Sequence, residues 1–217
     1  MMVTPYYEDD HVAIYHGDCR EMAAWLDADV LVTDPPYGTA FTSSRGGHQG
    51  TCAIANDHDT VARDEVLAAW GDRPAIVFGQ WTQPRPAGTR MRLVWEKGEH
   101  VGMGDLALPW KPNTEEIYVL GAGFEGFRSS SVLRYLAVSG TVRTTDAGRR
   151  HPTEKPIDLM RDLIGKCPPG VVADPFMGSG TTLRAAKDLG LKAIGIELDE
   201  RYCEIAAKRM GQEVLAL

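Results

Sequence analysis

The sequence of 217 residues lacks a long apolar run, a CxxC pair and an excess of basic residues. A helix that crosses a bilayer needs roughly 20 mostly apolar residues in a row, and no such run occurs. The N-terminus has early acidic residues and no apolar segment after a basic start, unlike a secretory signal peptide. We therefore expect a cytoplasmic protein with no membrane partner.

Cysteine is scarce, and its spacing indicates neither a zinc ribbon nor a redox motif. The four cysteines are Cys19, Cys52, Cys167 and Cys203, which we interpret as reduced structural thiols. His48 and His58 lie near Cys52 in the sequence, but this spacing matches no zinc pattern. We expect no metal site.

The formal net charge of −7 at first argues against a nucleic-acid partner, because phosphate is bound mostly by lysine and arginine. The basic residues are unevenly distributed, however. Between positions 128 and 155, six basic residues are opposed by only two acidic ones. A charge run is usually a solvated face, so this stretch alone identifies no partner.

Short apolar, β-branched runs alternate with helical patterns along the chain. The runs predict strands at 12–15, 30–33, 75–78, 91–95, 117–120, 171–173 and 193–196, and helices at 20–26, 64–70, 157–164, 181–189 and 200–210. This alternation predicts one α/β domain over residues 1–217, with a largely parallel sheet and helices on both faces. Two stretches without such patterns, near 38–60 and 121–150, are long enough to be functional insertions.

Residues 171–182 run from an apolar strand through a glycine-rich loop into a helix. Glycines let the backbone approach a ligand, and the helix N-terminus offers unpaired N–H groups. No lysine follows Gly180, which excludes a Walker A loop, and Leu183 stands where a dinucleotide fingerprint has its third glycine. Glu197 ends the next strand about 20 residues later, where a carboxylate would bind ribose hydroxyls. The pattern indicates an adenosyl ligand rather than a dinucleotide.

The tetrapeptide Asp34-Pro35-Pro36-Tyr37 directly follows a predicted strand, at a carboxyl end of the sheet, where α/β proteins bind ligands. Its prolines restrict the backbone and remove two N–H donors, which leaves carbonyl oxygens as acceptors. An amine with two hydrogens could then donate to the Asp34 carboxylate and the Pro35 carbonyl, while Tyr37 stacks on the base. A proline-rich turn with no catalytic role could have the same four residues. The tetrapeptide alone therefore does not identify a catalytic loop, and the glycine loop is needed as a second observation.

DPPY at 34–37 together with DPFMGSGTT at 174–182 resembles the amino-methyltransferases that modify adenine N6 or cytosine N4 in DNA. HGDC at 16–19, HPTEKP at 151–156 and GIELD at 195–199 match further motifs of that family. The catalytic loop precedes the glycine loop, as in the circularly permuted β class. The resemblance implies a Rossmann-like fold with a mostly parallel seven-stranded sheet and S-adenosyl-L-methionine as cofactor. It also implies a restriction-modification setting, in a bacterium or a phage-infected host cell.

The resemblance also implies roles for individual residues. The catalytic residues are Asp34, Pro35, Pro36 and Tyr37, and the cofactor contacts are Asp18, Lys155, Asp174, Phe176, Gly178, Gly180, Thr181 and Glu197. Asp18 could equally cap a helix that begins at Arg20, and Lys155 could be a solvated residue before Pro156. No metal is required.

Double-stranded DNA with a flipped target base is the implied partner, since a stacked amine cannot be reached. The predicted DNA-contacting residues are Arg45, His48, Arg128, Arg134, Arg143, Arg149 and Arg150. Little of the chain remains for a separate recognition domain, which favours a short target sequence or a homodimer that pools contacts.

The first residue of the catalytic loop bears on the target base. Asp at position 34 resembles adenine enzymes more often, whereas cytosine enzymes often have Ser there. We therefore expect transfer to N6 of adenine in DNA. The alternatives are cytosine N4, an RNA or a protein glutamine as acceptor, or an inactive adenosyl-binding module that binds DNA.

Overall fold

The computed structural model describes residues 4–38, 42–43, 52–53, 59–99, 104–138 and 154–212. Its strands are β1 (Tyr7–Glu8), β2 (Val12–His16), β3 (Val30–Thr33), β4 (Thr42–Ser43), β5 (Cys52–Ala53), β6 (Ala75–Gly79), β7 (Met91–Glu96), β8 (Thr114–Leu120), β9 (Val132–Arg134), β10 (Val172–Asp174) and β11 (Ala193–Glu197). Its α-helices are α1 (Val61–Trp70), α2 (Ile157–Ile164), α3 (Thr181–Asp188) and α4 (Glu200–Met210).

Nine of the described strands form one sheet in the order β1-β2-β11-β10-β3-β6-β8-β7-β9, and β4 pairs with β5 separately. Strands β2, β11, β10, β3 and β6 are parallel to one another, whereas β8 runs antiparallel between β6 and β7. The predicted α/β class, the mostly parallel sheet and all seven predicted strands are confirmed. The described part of this sheet has nine strands rather than the expected seven. The two further strands, β1 and β9, have two and three residues and were not predicted.

Side chains of the central strands alternate between two apolar cores, as the two-residue period of a strand requires. Val30 and Val32 of β3 pack in the core covered by α2, α3 and α4. Leu31 points the other way, into a core with Trp25 and Trp70, whose rings stack with centroids 5.9 Å apart. Helices therefore cover both faces of the sheet, as predicted.

Helices α2 and α4 have the predicted bounds, and Asp199 caps α4 by accepting from the Arg201 backbone N–H at 2.9 Å. The predicted helix at 20–26 is wrong, because the segment forms only a 3-10 turn over Ala24–Asp27. The Cys19 carbonyl accepts the indole N–H of Trp25 at 2.9 Å rather than a helical backbone N–H four residues on. This hydrogen bond from the buried Trp25 side chain thus takes the place of a backbone hydrogen bond in the first turn of a helix.

The carboxyl ends of the parallel strands lie along one side of the sheet, which we call the carboxyl edge. It includes the ends of β2, β11, β10, β3 and β6. Because β8 is antiparallel, its first residues lie at this edge too, where Glu116 pairs with Gly79. The loop that follows β8 therefore starts at the opposite edge, where Leu120 pairs with Ala75.

Among the helices of the described residues, none has the length and apolar character of a membrane-spanning helix.

Candidate active site

Asp34 stands at the carboxyl edge, immediately after β3, and both of its carboxylate oxygens have partners. Lys155 Nζ donates to Asp34 Oδ2 at 2.5 Å, and the Tyr37 hydroxyl donates to Asp34 Oδ1 at 2.6 Å. Lys155 is buried, with 6% of its side chain exposed, whereas 25% of the Asp34 side chain is exposed. One oxygen of Asp34 therefore belongs to a buried ion pair and the other accepts from Tyr37, while 25% of the side chain remains exposed.

A second carboxylate completes this cluster. Glu115 Oε2 lies 3.3 Å from Lys155 Nζ and 3.2 Å from the Tyr37 hydroxyl. Its other oxygen pairs with Lys97, which follows β7. Two buried or half-buried carboxylates thus face two ammonium groups, and these charges balance within a small volume at the carboxyl edge.

The opposite charges in this cluster keep Glu115 and Lys155 ionised. Burial alone would raise the pKa of Glu115, but Lys155 and Lys97 hold it below its ordinary value. Burial alone would lower the pKa of Lys155, and the carboxylates of Asp34 and Glu115 raise it above its ordinary value. Burial, together with the same two carboxylates, raises the pKa of Tyr37 well above its ordinary value. At neutral pH the cluster holds charged lysine and glutamate side chains and a protonated tyrosine hydroxyl.

The glycine loop after β10 adjoins Asp34, because β10 and β3 are parallel neighbours, with Ala173 opposite Leu31. The two strands that carry the motifs therefore lie side by side. Buried Asp174 accepts from the Thr33 hydroxyl at 2.7 Å and from the Phe176 backbone N–H at 3.1 Å. Burial raises the pKa of Asp174 to about 6, although these hydrogen bonds partly oppose the effect.

Glu197 is the last residue of β11 and contacts the same loop at Gly178. Its carboxylate accepts from the Gly178 backbone N–H at 3.0 Å and from the Asp199 backbone N–H at 2.8 Å. Burial raises the pKa of Glu197. A carboxylate has about four lone-pair sites, so the residue can still accept a hydrogen bond from a ribose hydroxyl.

Two glycines in the loop have left-handed backbones that side chains rarely adopt. Gly178 has φ +50°, and a Cβ added there would meet no atom within 4 Å, so its backbone faces open space. Gly180 has φ +77°, and a Cβ there would lie 2.8 Å from the Cβ of Ala206. The first glycine leaves room for a ligand and the second lets α3 pack against α4. An open backbone next to the Glu197 carboxylate fits an adenosyl ligand.

Three other predicted cofactor residues have partners within the chain. Asp18 forms an ion pair with Arg20, with Arg20 Nη2 2.5 Å from Asp18 Oδ2, and also accepts from the Arg20 backbone N–H at 2.9 Å. The buried Thr181 hydroxyl accepts from Arg209 at 2.7 Å. Lys155 donates to Asp34. Their roles as cofactor contacts stay predictions.

The predicted DNA contacts divide between the two edges of the sheet. Arg134 ends β9 at the carboxyl edge, with 74% of its side chain exposed and Nε 3.0 Å from Glu96 Oε2. Arg128 lies in the loop after β8, beside Ser129, whose hydroxyl accepts from Lys166 at 3.0 Å. This loop is at the opposite edge, which removes Arg128 from the surface around Asp34. Arg45, His48, Arg143, Arg149 and Arg150 lie outside the described residues, as do positions 151–153 of the HPTEKP motif.

Sequence reasoning missed Glu115 and Lys97. The available signal was the pair of acids at 115–116, which opens an otherwise apolar strand. In a strand, adjacent residues point to opposite faces: Glu115 faces the Asp34 cluster, and Glu116 pairs with Arg92 at 2.8 Å on the other side. Nothing in the local pattern indicates which of the two acids meets Asp34.

Comparison with known proteins agrees with this geometry. A family model described as DNA methylase matches residues 58–208. The type II methyltransferase M.ScaI of Streptomyces caespitosus is 26% identical over an alignment that covers 98% of this chain and 86% of that protein.

Two solved structures show the same fold. The M1.HpyAVI–SAM complex superposes with a TM-score of 0.64 at 22% identity, covering 93% of this chain and 100% of that one. The PvuII DNA methyltransferase, described as cytosine-N4-specific, superposes with a TM-score of 0.70 at 14% identity, covering 98% of this chain and 90% of that one. With the family match extending over most of the chain, the protein belongs to the DNA methylase family and uses S-adenosyl-L-methionine to methylate DNA.

Proposed function

We propose that the protein transfers a methyl group to the exocyclic N6 amine of adenine in double-stranded DNA. The observation that carries this proposal is a half-open carboxylate, Asp34, next to the glycine loop at the carboxyl edge. Its Oδ2 is held by Lys155 and its Oδ1 accepts from the Tyr37 hydroxyl, and 25% of its side chain is exposed. The aspartate at this position resembles that of adenine enzymes and supports adenine over cytosine.

The cofactor-binding residues of the proposal are Glu197 for the ribose hydroxyls and the loop residues Asp174, Phe176, Gly178 and Gly180 for the remainder. Asp18, Thr181 and Lys155 are proposed contacts in addition. When bound, S-adenosyl-L-methionine supplies an electrophilic methyl group. The chain must therefore position the amine and exclude water, because no metal or covalent intermediate is needed for such a transfer.

An aromatic amine is a poor nucleophile because its lone pair is delocalised into the ring. We propose that its two N–H groups donate to the Asp34 carboxylate and to the Pro35 carbonyl. Both acceptors favour a more pyramidal nitrogen and stabilise the positive charge that develops on it. The Asp34 carboxylate also lies where it can accept the proton that the nitrogen loses, and the ring of Tyr37 can stack on the flipped base.

Cytosine N4 is the second candidate. The PvuII DNA methyltransferase, described as cytosine-N4-specific, has the same fold with a TM-score of 0.70. An exocyclic amine on either base presents the same two N–H donors to Asp34, so the acceptor geometry suits both. We further propose a short DNA target, or a homodimer that combines the contacts of two copies.

Base analysis after methyl transfer tests the proposal. The protein is incubated with duplex DNA and labelled S-adenosyl-L-methionine, and the DNA is digested to nucleosides. We expect labelled N6-methyladenine from the wild type and none from Asp34→Ala. Asp158→Asn is a matched control, because this carboxylate lies on α2 with 73% of its side chain exposed. Labelled N4-methylcytosine would refute the choice of base, and unlabelled DNA would refute the activity.

A further inference from the structure

Glu115 and Asp34 share two hydrogen-bond donors. Lys155 Nζ lies 2.5 Å from Asp34 Oδ2 and 3.3 Å from Glu115 Oε2. The Tyr37 hydroxyl lies 2.6 Å from Asp34 Oδ1 and 3.2 Å from Glu115 Oε2. In both cases Asp34 is the nearer acceptor and Glu115 the more distant one.

The two donors differ in how many acceptors they can serve at once. An ammonium group has three hydrogens, so Lys155 can donate to both carboxylates together. A phenolic hydroxyl has one hydrogen, so Tyr37 can donate to Asp34 or to Glu115 but not to both. Without substrate, the shorter distance shows that the Tyr37 hydroxyl donates its hydrogen bond to Asp34 Oδ1.

A target amine that donates to Asp34 Oδ1 shares that oxygen with the Tyr37 hydroxyl. The oxygen has lone pairs for both donors, but an oxygen that accepts from two donors holds each of them less strongly than it holds one. If the hydroxyl left Asp34 and found no other acceptor, a half-buried polar group would lose its hydrogen bond, which is costly. Glu115 Oε2 is already within hydrogen-bonding distance of that hydroxyl. A small rotation of the O–H bond is enough to change acceptors.

We propose that Glu115 is a positioning residue for methyl transfer: it takes over the Tyr37 hydroxyl when the target amine occupies Asp34. Lys155 remains between the two carboxylates throughout and keeps both in place. Lys97 binds the other oxygen of Glu115, so the acceptor stays charged at a buried position. This inference rests on transfer to an amine at Asp34 and is independent of which base carries the amine.

A double-mutant cycle tests the inference. The variants are Glu115→Gln, Tyr37→Phe and their combination, and kcat and KM are measured on whichever duplex base the wild type methylates. A neutral amide is a weaker acceptor than a carboxylate, so Glu115→Gln should lower kcat by about tenfold or more, with the Kd for S-adenosyl-L-methionine within about twofold of wild type. In Tyr37→Phe no hydroxyl competes for Asp34, so there the Glu115 substitution should lower kcat by only about twofold.

Glu116→Gln is the matched control. This neighbouring carboxylate accepts from Arg92 and Tyr118 on the other side of β8, and its substitution should leave kcat unchanged. If Glu115→Gln does not fold, Glu115→Asp in the same two backgrounds replaces it, with a smaller expected loss because the acceptor stays charged.

Two results would overturn the inference: an equal loss of kcat in both backgrounds, or a wild-type kcat in Glu115→Gln. Methylation of cytosine instead of adenine would refute the proposed base and leave this cycle intact.

Discussion

Replacing Asp174 with asparagine should change how the stability of the protein depends on pH. The Asp174 carboxylate is buried at the end of β10, with 1% of the residue exposed. Burial raises its pKa from the ordinary 3.8 to about 6, against the opposing hydrogen bonds from Thr182, Thr33 and the Phe176 backbone. One pKa unit corresponds to about 1.4 kcal/mol, so keeping this group ionised in the folded chain costs about 3 kcal/mol.

The direction follows from which state binds the proton. Between about pH 4 and pH 6 the folded chain holds a proton on Asp174 that the unfolded chain has already lost. The stability that this proton contributes is complete below about pH 4 and is lost as the pH rises through about 6. Asparagine does not titrate. The free energy of unfolding of Asp174→Asn, relative to wild type, should therefore increase by about 3 kcal/mol between about pH 4 and pH 7.5.

Urea unfolding of both proteins across this pH range measures the effect, because the difference between them cancels every group they share. The same variant should bind S-adenosyl-L-methionine more weakly in calorimetry, since a neutral amide holds the Phe176 N–H less strongly than a carboxylate. A difference in unfolding free energy that stays constant with pH would refute the reasoning. It would mean that Asp174 ionises in the folded chain as it does in the unfolded one.

Three further predictions follow from contacts away from Asp174. Arg209→Ala removes an ion-pair partner of Glu154, whose side chain is 6% exposed, together with a hydrogen bond to Thr181, and should cost about 3 kcal/mol in urea unfolding; a loss below about 1 kcal/mol would contradict it. Arg134→Ala should weaken DNA binding and reduce the salt dependence of log Kd by about one unit, whereas Arg128→Ala at the opposite edge should change neither; equal effects would place both on the DNA surface. Gly180→Ala should lower the free energy of unfolding by at least about 1 kcal/mol, because its φ of +77° is left-handed and its Cβ would crowd α4; an unchanged urea midpoint would refute this.

Much of the fold was predictable from local pattern. Short β-branched runs marked seven of the nine described strands of the main sheet, and the bounds of α2 and α4 were predicted correctly. Single residues also mark helix ends: Asp199 caps the start of α4, and Gly190, with φ +72°, follows the end of α3. The 3-10 turn over Ala24–Asp27 escaped prediction because the indole of Trp25 takes a carbonyl that a helix would have used.

The candidate site was predictable only in part. The two motifs around Asp34 and Gly178 stand at strand ends, and strand ends are visible in the sequence. The partners of Asp34 are not visible there. Lys155 lies 121 positions from Asp34, and Glu115 lies in a strand whose direction depends on its neighbours.

The sequence by itself determined most of the segments that form strands and helices. It also determined that an Asp-Pro-Pro-Tyr tetrapeptide and a glycine-rich loop follow two of those strands, and the family that both motifs resemble. These properties depend on side-chain period, on glycine and proline, and on residue type at fixed spacing, all of which act locally. Only the tertiary structure decided that Glu115 faces Asp34 and that Arg128 does not. The physical reason is the antiparallel pairing of β8 between β6 and β7, which brings the start of β8 to the carboxyl edge and sends the loop after it to the other side of the sheet.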